Sequence, residues 1–168
     1  VAHCPCSNMR LASGIAPIRH MLNAGVKVGL GVDGSASNDS GHMLNEARQA
    51  MLLQRVMQGG DAMTAREALA TATRGGAAVL SRNDIGVLAS GKSADIAAFD
   101  CRGIDFAGAA WDPLAALIFC GPSKAAFTII NGQVVVANGT LQTLDEAELI
   151  QKHQIMVTDL MKKSGHAG

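Results

Sequence analysis

The order of the first two apolar runs constrains this chain most. Residues 1–4 are a short strand candidate closed by Pro5, and residues 26–32 are apolar and β-branched, as a strand buried on both faces requires. Between them a polar loop runs to Gly14. A helix then opens at Pro17, carries Ile18, Met21 and Leu22 at helical spacing, and stops at Gly25. Strand, helix, strand implies a parallel pair joined by a crossover, the repeating unit of α/β folds.

Length limits what such a unit can belong to. The 168 residues suffice for one domain with a real core. They do not suffice for a complete (β/α)₈ barrel, which takes about 250. The sequence opens on Val1, inside a strand and without an initiator Met, so we expect a piece of something longer. With 48% hydrophobic and 17% charged residues it is too apolar for disorder. Fourteen Lys and Arg balance fourteen Asp and Glu, with no basic stripe, which argues against a nucleic acid partner. No apolar run reaches the 18 or so residues of a membrane span and no signal peptide opens the chain, so we expect a cytoplasmic protein with no membrane partner. Cys4, Cys6, Cys101 and Cys120 show no C-x-x-C pair and read as reduced thiols.

Further along, residues 43–57 have a helical pattern ending before Gly59-Gly60, and Thr64 with Glu67 has the form of a capping box opening a helix toward Leu80, weakened at Gly75-Gly76. Residues 94–99, 127–130 and 133–136 are β runs, the last two flanking Asn131-Gly132, a strong hairpin signal. Asp145 and Glu148 open a final helix with one apolar stripe, Leu149, Ile150, His153, Met156, Val157, Leu160 and Met161, and with Lys162 and Lys163 at its end. The chain thus divides at 1–80, 81–142 and 143–168.

Several motifs read as structural. Residues 86–93 match the phosphate-loop expression G-x-x-x-x-G-K-[ST], but no buried strand precedes them and a strand, not a helix, follows, which leaves a Gly-punctuated turn. His3-Cys4-x-Cys6 offers either a metal site or buried thiols beside a hydrogen-bonded histidine. His153, on the apolar stripe, reads as a core histidine, and His20, His42 and His166 are scattered.

Residues 29–39, Gly-Leu-Gly-Val-Asp-Gly-Ser-Ala-Ser-Asn-Asp, differ in kind. A buried strand ends in Asp33, and in parallel α/β folds chemistry collects at the carboxyl ends of strands. Asp33 is a metal ligand or base by position, or else a helix cap or loop carboxylate. His3, Ser7 and Asn8 occupy the matching end of the first strand, so both loops can face one pocket.

These residues carry a resemblance. Val1-Ala-His-Cys-Pro-x-Ser7-Asn8-x-x-Leu11-x-Ser13-Gly14, then Gly-Val-Asp33-Gly-x-x-Ser37-Asn38, then Gly91-x-x-Ala94-Asp95-Ile96 together resemble the amidohydrolase superfamily, in the branch of guanine, cytosine and adenosine-derivative deaminases and triazine hydrolases. Residues 33–40 and 46–55 are most similar to the 8-oxoguanine deaminases. The resemblance implies an α/β fold: the last two βα units of a TIM (β/α)₈ barrel over 1–80, strands of a small β-sandwich domain over 81–142, and a terminal amphipathic helix packing back over 143–168. It implies one divalent metal, zinc or iron, and a small heteroaromatic substrate whose exocyclic amine leaves as ammonia. Asp33 would bind the metal and take a proton from the attacking water. Ser37 would face the substrate and Asn38 would hold the loop, with His3, Ser7 and Asn8 binding substrate or supporting those that do.

The departure from the family pattern is equally informative. The other family ligands, an H-x-H pair and a later His, and the Glu and His of its proton shuttle lie on segments this sequence does not contain. One carboxylate is too few for a catalytic metal site, so the 168 residues alone are expected to be inactive. The rival readings are a triazine-type hydrolase displacing chloride or an alkylamine, and a non-catalytic module. Unpaired strand edges make a homo-oligomer the expectation in either case.

Overall fold

The two apolar runs pair as their order demands. In this computed structural model, which describes residues 1–165, β1 (Ala2–His3) lies parallel to β2 (Gly29–Leu30), with Ala2 opposite Gly29 and His3 opposite Leu30. Flanking bonds from Gly29 N to Val1 O and from Gly31 N to His3 O, both 2.9 Å, extend the ladder. Both strands are shorter than expected: Pro5 turns the chain out of the sheet after His3 and leaves Val32 nothing on β1 to pair with, while at the other end Val1 reaches back only as far as Lys27 O. His166 lies outside the described residues.

Pro5 also corrects the expected polar loop. It ends the strand but occupies the first turn of a helix, α1 (Pro5–Arg10), where its fixed φ is helical and its missing N–H has no partner to lose. The crossover helix α2 (Ile18–Asn23) follows, with Pro17 at the cap.

The core gathers on α3 (Met43–Gln58). Leu44, Ala47, Ala50 and Met51 are buried on it, packing with Ile18, Val28 and Leu30, and with Met63, Ala65 and Ala68 around α4 (Ala65–Ala70). Alanine on both helices lets them approach closely, and methionine fills the irregular gaps. Gln54, fully buried, accepts from Arg19 N at 3.0 Å and donates to Ala16 O at 2.9 Å, fixing the start of α2 on α3. Thr64 and Glu67 form the reciprocal capping box at the head of α4.

The glycine pair 75–76 has a tertiary explanation. From α4 the chain passes through a π turn (Thr71–Gly75) into α5 (Gly76–Val79) without leaving helical geometry. A Cβ on Gly75 would sit 2.2 Å from Val28 O, so the helix backbone rides directly on the approach to β2. What weakens the helix locally seats it on the sheet.

The second sheet is antiparallel in the order β3 (Ile96–Ala98), β4 (Phe127–Ile130), β5 (Gln133–Ala137), β6 (Thr140–Leu141). Asn131 (φ 48°) and Gly132 (φ 80°) make the two-residue turn between β4 and β5. A short helix α6 (Pro113–Phe119), capped by Asp112, buries Ala116 and Ile118. Residues 86–93 are turns, held where Ser93 N donates to Asp84 O at 2.8 Å, and β3 follows them, so the helix a phosphate loop needs is missing.

The terminal helix α7 (Glu146–Lys163) departs from expectation. It is capped by Asp145 and braced by Lys152–Glu148 and Lys163–Asp159 ion pairs at 2.5 and 2.6 Å, but none of its residues is buried. His153 is exposed and not a core histidine, and the helix does not pack back on the described residues. Amphipathic spacing shows that a face suits burial; it does not supply the surface that buries it. No helix among the described residues is long and apolar enough to cross a membrane.

Candidate functional site

Because β1 and β2 run parallel and in register, the segments that follow them emerge side by side. Ser7 on α1 meets Asp33 just beyond β2, its Oγ donating to Asp33 Oδ2 at 2.6 Å. Ser37 Oγ reaches the same oxygen at 3.1 Å. Asp33 is exposed, while Ser7 is fully buried beneath it. The Ser7 hydroxyl above all, then the Gly34 backbone and the Ser37 hydroxyl, hold the Asp33 carboxyl below its ordinary range. It is therefore ionised at neutral pH, and its orientation is fixed.

Asp33 adopts φ 62°, a left-handed conformation costing a non-glycine residue on the order of 1 kcal/mol. Such strain persists only where surrounding contacts enforce it. Those contacts come through Asn38, buried at the end of the loop, whose Nδ2 donates to Val32 O at 2.8 Å and to Glu46 Oε1 at 2.6 Å. Glu46 Oε2 accepts from Cys6 N at 3.1 Å. Arg10 pairs with Asp39, joining α1 to the far side of the loop.

His3 lies beneath, 2% exposed, and its Nε2 has no hydrogen-bond partner among the described residues. Burial pushes its pKa down, opposed by the Glu46 charge, so the ring is neutral at pH 7. Asn8 enters through its backbone: its N–H donates to Cys4 O at 3.0 Å and its carbonyl accepts from Ser13 N at 2.9 Å. The structure thus unites Ser7, Asp33, Ser37 and Asn38, with His3 buried below and Asn8 on the adjoining helix.

His3, Cys4 and Cys6 do not form a metal site. No group of three or more His, Cys, Asp or Glu among the described residues is placed to hold an ion. Cys4 ends the strand and Cys6 turns onto α1, where burial and then Glu46 push its thiol up to about 12. Both thiols are therefore protonated at neutral pH. Asp33 has the chemistry of a ligand reachable from the surface: it is ionised, exposed and held in place by Ser7 and Ser37. It fits one position of a metal site, and a complete site needs about two more protein ligands.

Two residues to which the sequence reading gave no part in the site belong to this frame. Glu46 opens the 46–55 segment that shares in the resemblance, and its place four residues before Ala50 and eight before Gln54 puts it on the buried face of α3. His42 caps α3: Nδ1 accepts from Asn45 N at 3.3 Å, which leaves Nε2 to donate to Pro122 O at 3.0 Å.

Comparison with known proteins is consistent with this geometry. The amidohydrolase family model matches residues 1–135. An 8-oxoguanine deaminase of Pseudomonas aeruginosa is 47% identical over 161 residues, and a 5-methylthioadenosine/S-adenosylhomocysteine deaminase of Pelotomaculum thermopropionicum 44% identical over 156, covering 96% and 92% of this chain. The chain spans 36% of the length of each. Among solved structures, atrazine chlorohydrolase from Arthrobacter aurescens TC1 complexed with zinc superposes with a TM-score of 0.86 at 38% identity, over 93% of this chain and 35% of that one. An adenosine deaminase from Xanthomonas campestris with bound zinc does so with a TM-score of 0.86 at 32% identity, over 92% and 36%. With a family model covering most of its length, this chain belongs to the amidohydrolase family.

Proposed function

We propose that these residues form part of a metal-dependent hydrolytic deaminase acting on a purine-like base of the 8-oxoguanine type. The observation that carries the reading is Asp33: an exposed, ionised carboxylate, fixed by Ser7 and Ser37 at the carboxyl end of a parallel strand pair. In this reading β1 and β2 are the seventh and eighth strands of a TIM barrel, 1–80 its last two βα units, 81–142 part of a small β-sandwich domain and 143–168 a terminal helix.

Asp33 supplies one ligand to a divalent metal, zinc or iron, and the other ligands come from residues beyond this sequence. When bound, the metal lowers the pKa of water toward neutrality and stabilises developing negative charge. Asp33 accepts the proton that the attacking water gives up, as a carboxylate within reach of that water can. A C–O bond forms at the amino-bearing ring carbon, the C–N bond breaks, and the nitrogen leaves as ammonia after taking up a proton. Ser7 holds the Asp33 oxygen from below. Ser37, beside it at the loop surface, is positioned toward the substrate.

A second reading, a triazine-type hydrolase, draws on the 0.86 superposition with the atrazine chlorohydrolase. Incubating the full-length zinc-loaded enzyme with 8-oxoguanine, isocytosine and a chlorotriazine separates the two. Ammonia from the bases supports the deaminase, and chloride from the triazine supports the alternative. Asp33→Asn is expected to abolish turnover while leaving the circular dichroism spectrum unchanged, and full activity in that variant would overturn the role of Asp33. Residues 1–168 alone are expected to release neither product.

A further inference from the structure

We infer that Glu46, on the first turn of α3, is a positioning residue that sets the geometry of the Ser7–Asp33–Ser37 group by holding the Cys6 backbone directly and, through the Asn38 side chain, the Val32 backbone. The inference rests on the proposed role of Asp33 and extends it to a residue outside the site's surface. Glu46 is 0% exposed, and a carboxylate taken out of water carries a penalty of several kcal/mol unless its oxygens are satisfied. A helix-dipole role does not require that burial, since a first-turn carboxylate stabilises a helix from the surface.

The bonds it makes are specific in their placement. Oε2 accepts from the N–H of Cys6, one residue before Ser7. Oε1 accepts from the Asn38 side chain, one residue after Ser37. The same Asn38 amide donates to the carbonyl of Val32, one residue before Asp33. One buried carboxylate on a rigid helix thereby holds one backbone point directly, the Cys6 N–H, and fixes the Asn38 side chain that holds a second, the Val32 carbonyl; Cys6, Val32 and Asn38 each lie a single residue from a member of the trio. This supplies the constraint that holds Asp33 at φ 62° and brings Ser7 Oγ to 2.6 Å from its carboxylate. Rigid support of this kind matters because a misplacement of about 1 Å costs on the order of 100-fold in rate.

The same helix offers an internal control. Gln54, two turns on and equally buried, clamps the start of α2 by a comparable pair of bonds but touches neither loop of the site. Glu46→Gln presents an amide N–H₂ to one of the two donors and so breaks one arm, whereas Gln54→Leu breaks the control clamp. Hydrogen exchange is followed in residues 1–168, and kinetics in the full-length enzyme. Glu46→Gln is expected to speed exchange at 6–8 and 33–38 at least tenfold and to lower kcat about 100-fold with KM within twofold. Gln54→Leu, compared at matched loss of Tm, is expected to leave both unchanged. Glu46→Asp keeps two acceptor oxygens on a shorter arm and is expected to fall between. If Glu46→Gln does not fold, this variant decides alone: faster loop exchange supports the clamp, unchanged exchange overturns it. Equal loop exchange in the Glu46 and Gln54 variants, or kcat that follows Tm alone, also overturns it. An active Asp33→Asn enzyme would remove the catalytic reading of Asp33, while the exchange data would still decide whether Glu46 holds the loops.

Discussion

The hydroxyl of Ser7 lies 2.6 Å from Oδ2 of Asp33, although 26 residues separate them in sequence. The contact exists because Pro5 starts a helix straight after β1, which lifts Ser7 over the end of β2. A buried hydroxyl bonded to an exposed carboxylate fixes the carboxylate's direction without neutralising it.

If Asp33 has its proposed role, removing that hydroxyl is expected to weaken catalysis more than binding. Ser7→Ala in the full-length enzyme should lower kcat about tenfold, the equivalent of ~1.4 kcal/mol and typical of one hydrogen bond to a charged group. Steady-state ammonia release measures this directly, and an unchanged kcat would show that Ser37 suffices.

Adjacent glycines are expected to respond with opposite signs. Gly75→Ala forces a Cβ to 2.2 Å from Val28 O and should destabilise by about 1–3 kcal/mol or more. Gly76 has helical backbone and open space within 4 Å of its would-be Cβ, so Gly76→Ala should stabilise by about 0.4–1 kcal/mol. Denaturant melts of the two variants distinguish close backbone approach from mere helix propensity.

Thr64→Ala removes the side chain that accepts from Glu67 N at 3.2 Å and opens the capping box. A loss of about 1 kcal/mol is expected from thermal unfolding. Glu67 also accepts from Arg19 at 2.7 Å, so Arg19→Ala combined with Thr64→Ala should cost less than the sum of the two.

Acid should loosen the turn before β3. The Arg82 hydrogen bond, chiefly, holds the Asp84 carboxyl at about 2. A folded-state value below the unfolded one means that this contribution is complete above the ordinary carboxylate range and is lost as pH falls through about 2. The pair is exposed, so its effect on global stability is small. Carboxyl NMR is expected to show Asp84 titrating near its ordinary value in Arg82→Gln, and an unmoved titration would assign the shift to the turn backbone instead.

The uncovered face of α7 should make residues 1–168 associate. Leu160 and Met156 are 64% and 70% exposed on the stripe. Sedimentation is expected to show oligomers that Val157→Glu with Leu160→Glu disperses; a monodisperse monomer before substitution would contradict this.

Local chemistry made much of the fold legible in advance. Two apolar runs around a helix specified the parallel pair, Thr64 and Glu67 the start of α4, and Asn131-Gly132 the hairpin, because capping and turn geometry depend on neighbours a few residues away. Position at a strand end marked Asp33 and Ser7, and the family resemblance alone marked Ser37 and Asn38. The six-residue helix α1 escaped notice because it is too short to show a period.

Tertiary structure decided what depends on distant partners. No pattern announces that Glu46 is buried between Cys6 and Asn38, that Gly75 rests against Val28, or that Asp33 is held at positive φ. The α7 stripe makes the same point from the other side: its amphipathic spacing is written in the sequence, but His153 stays exposed, since burial belongs to a pair of surfaces and a sequence pattern describes only one of them.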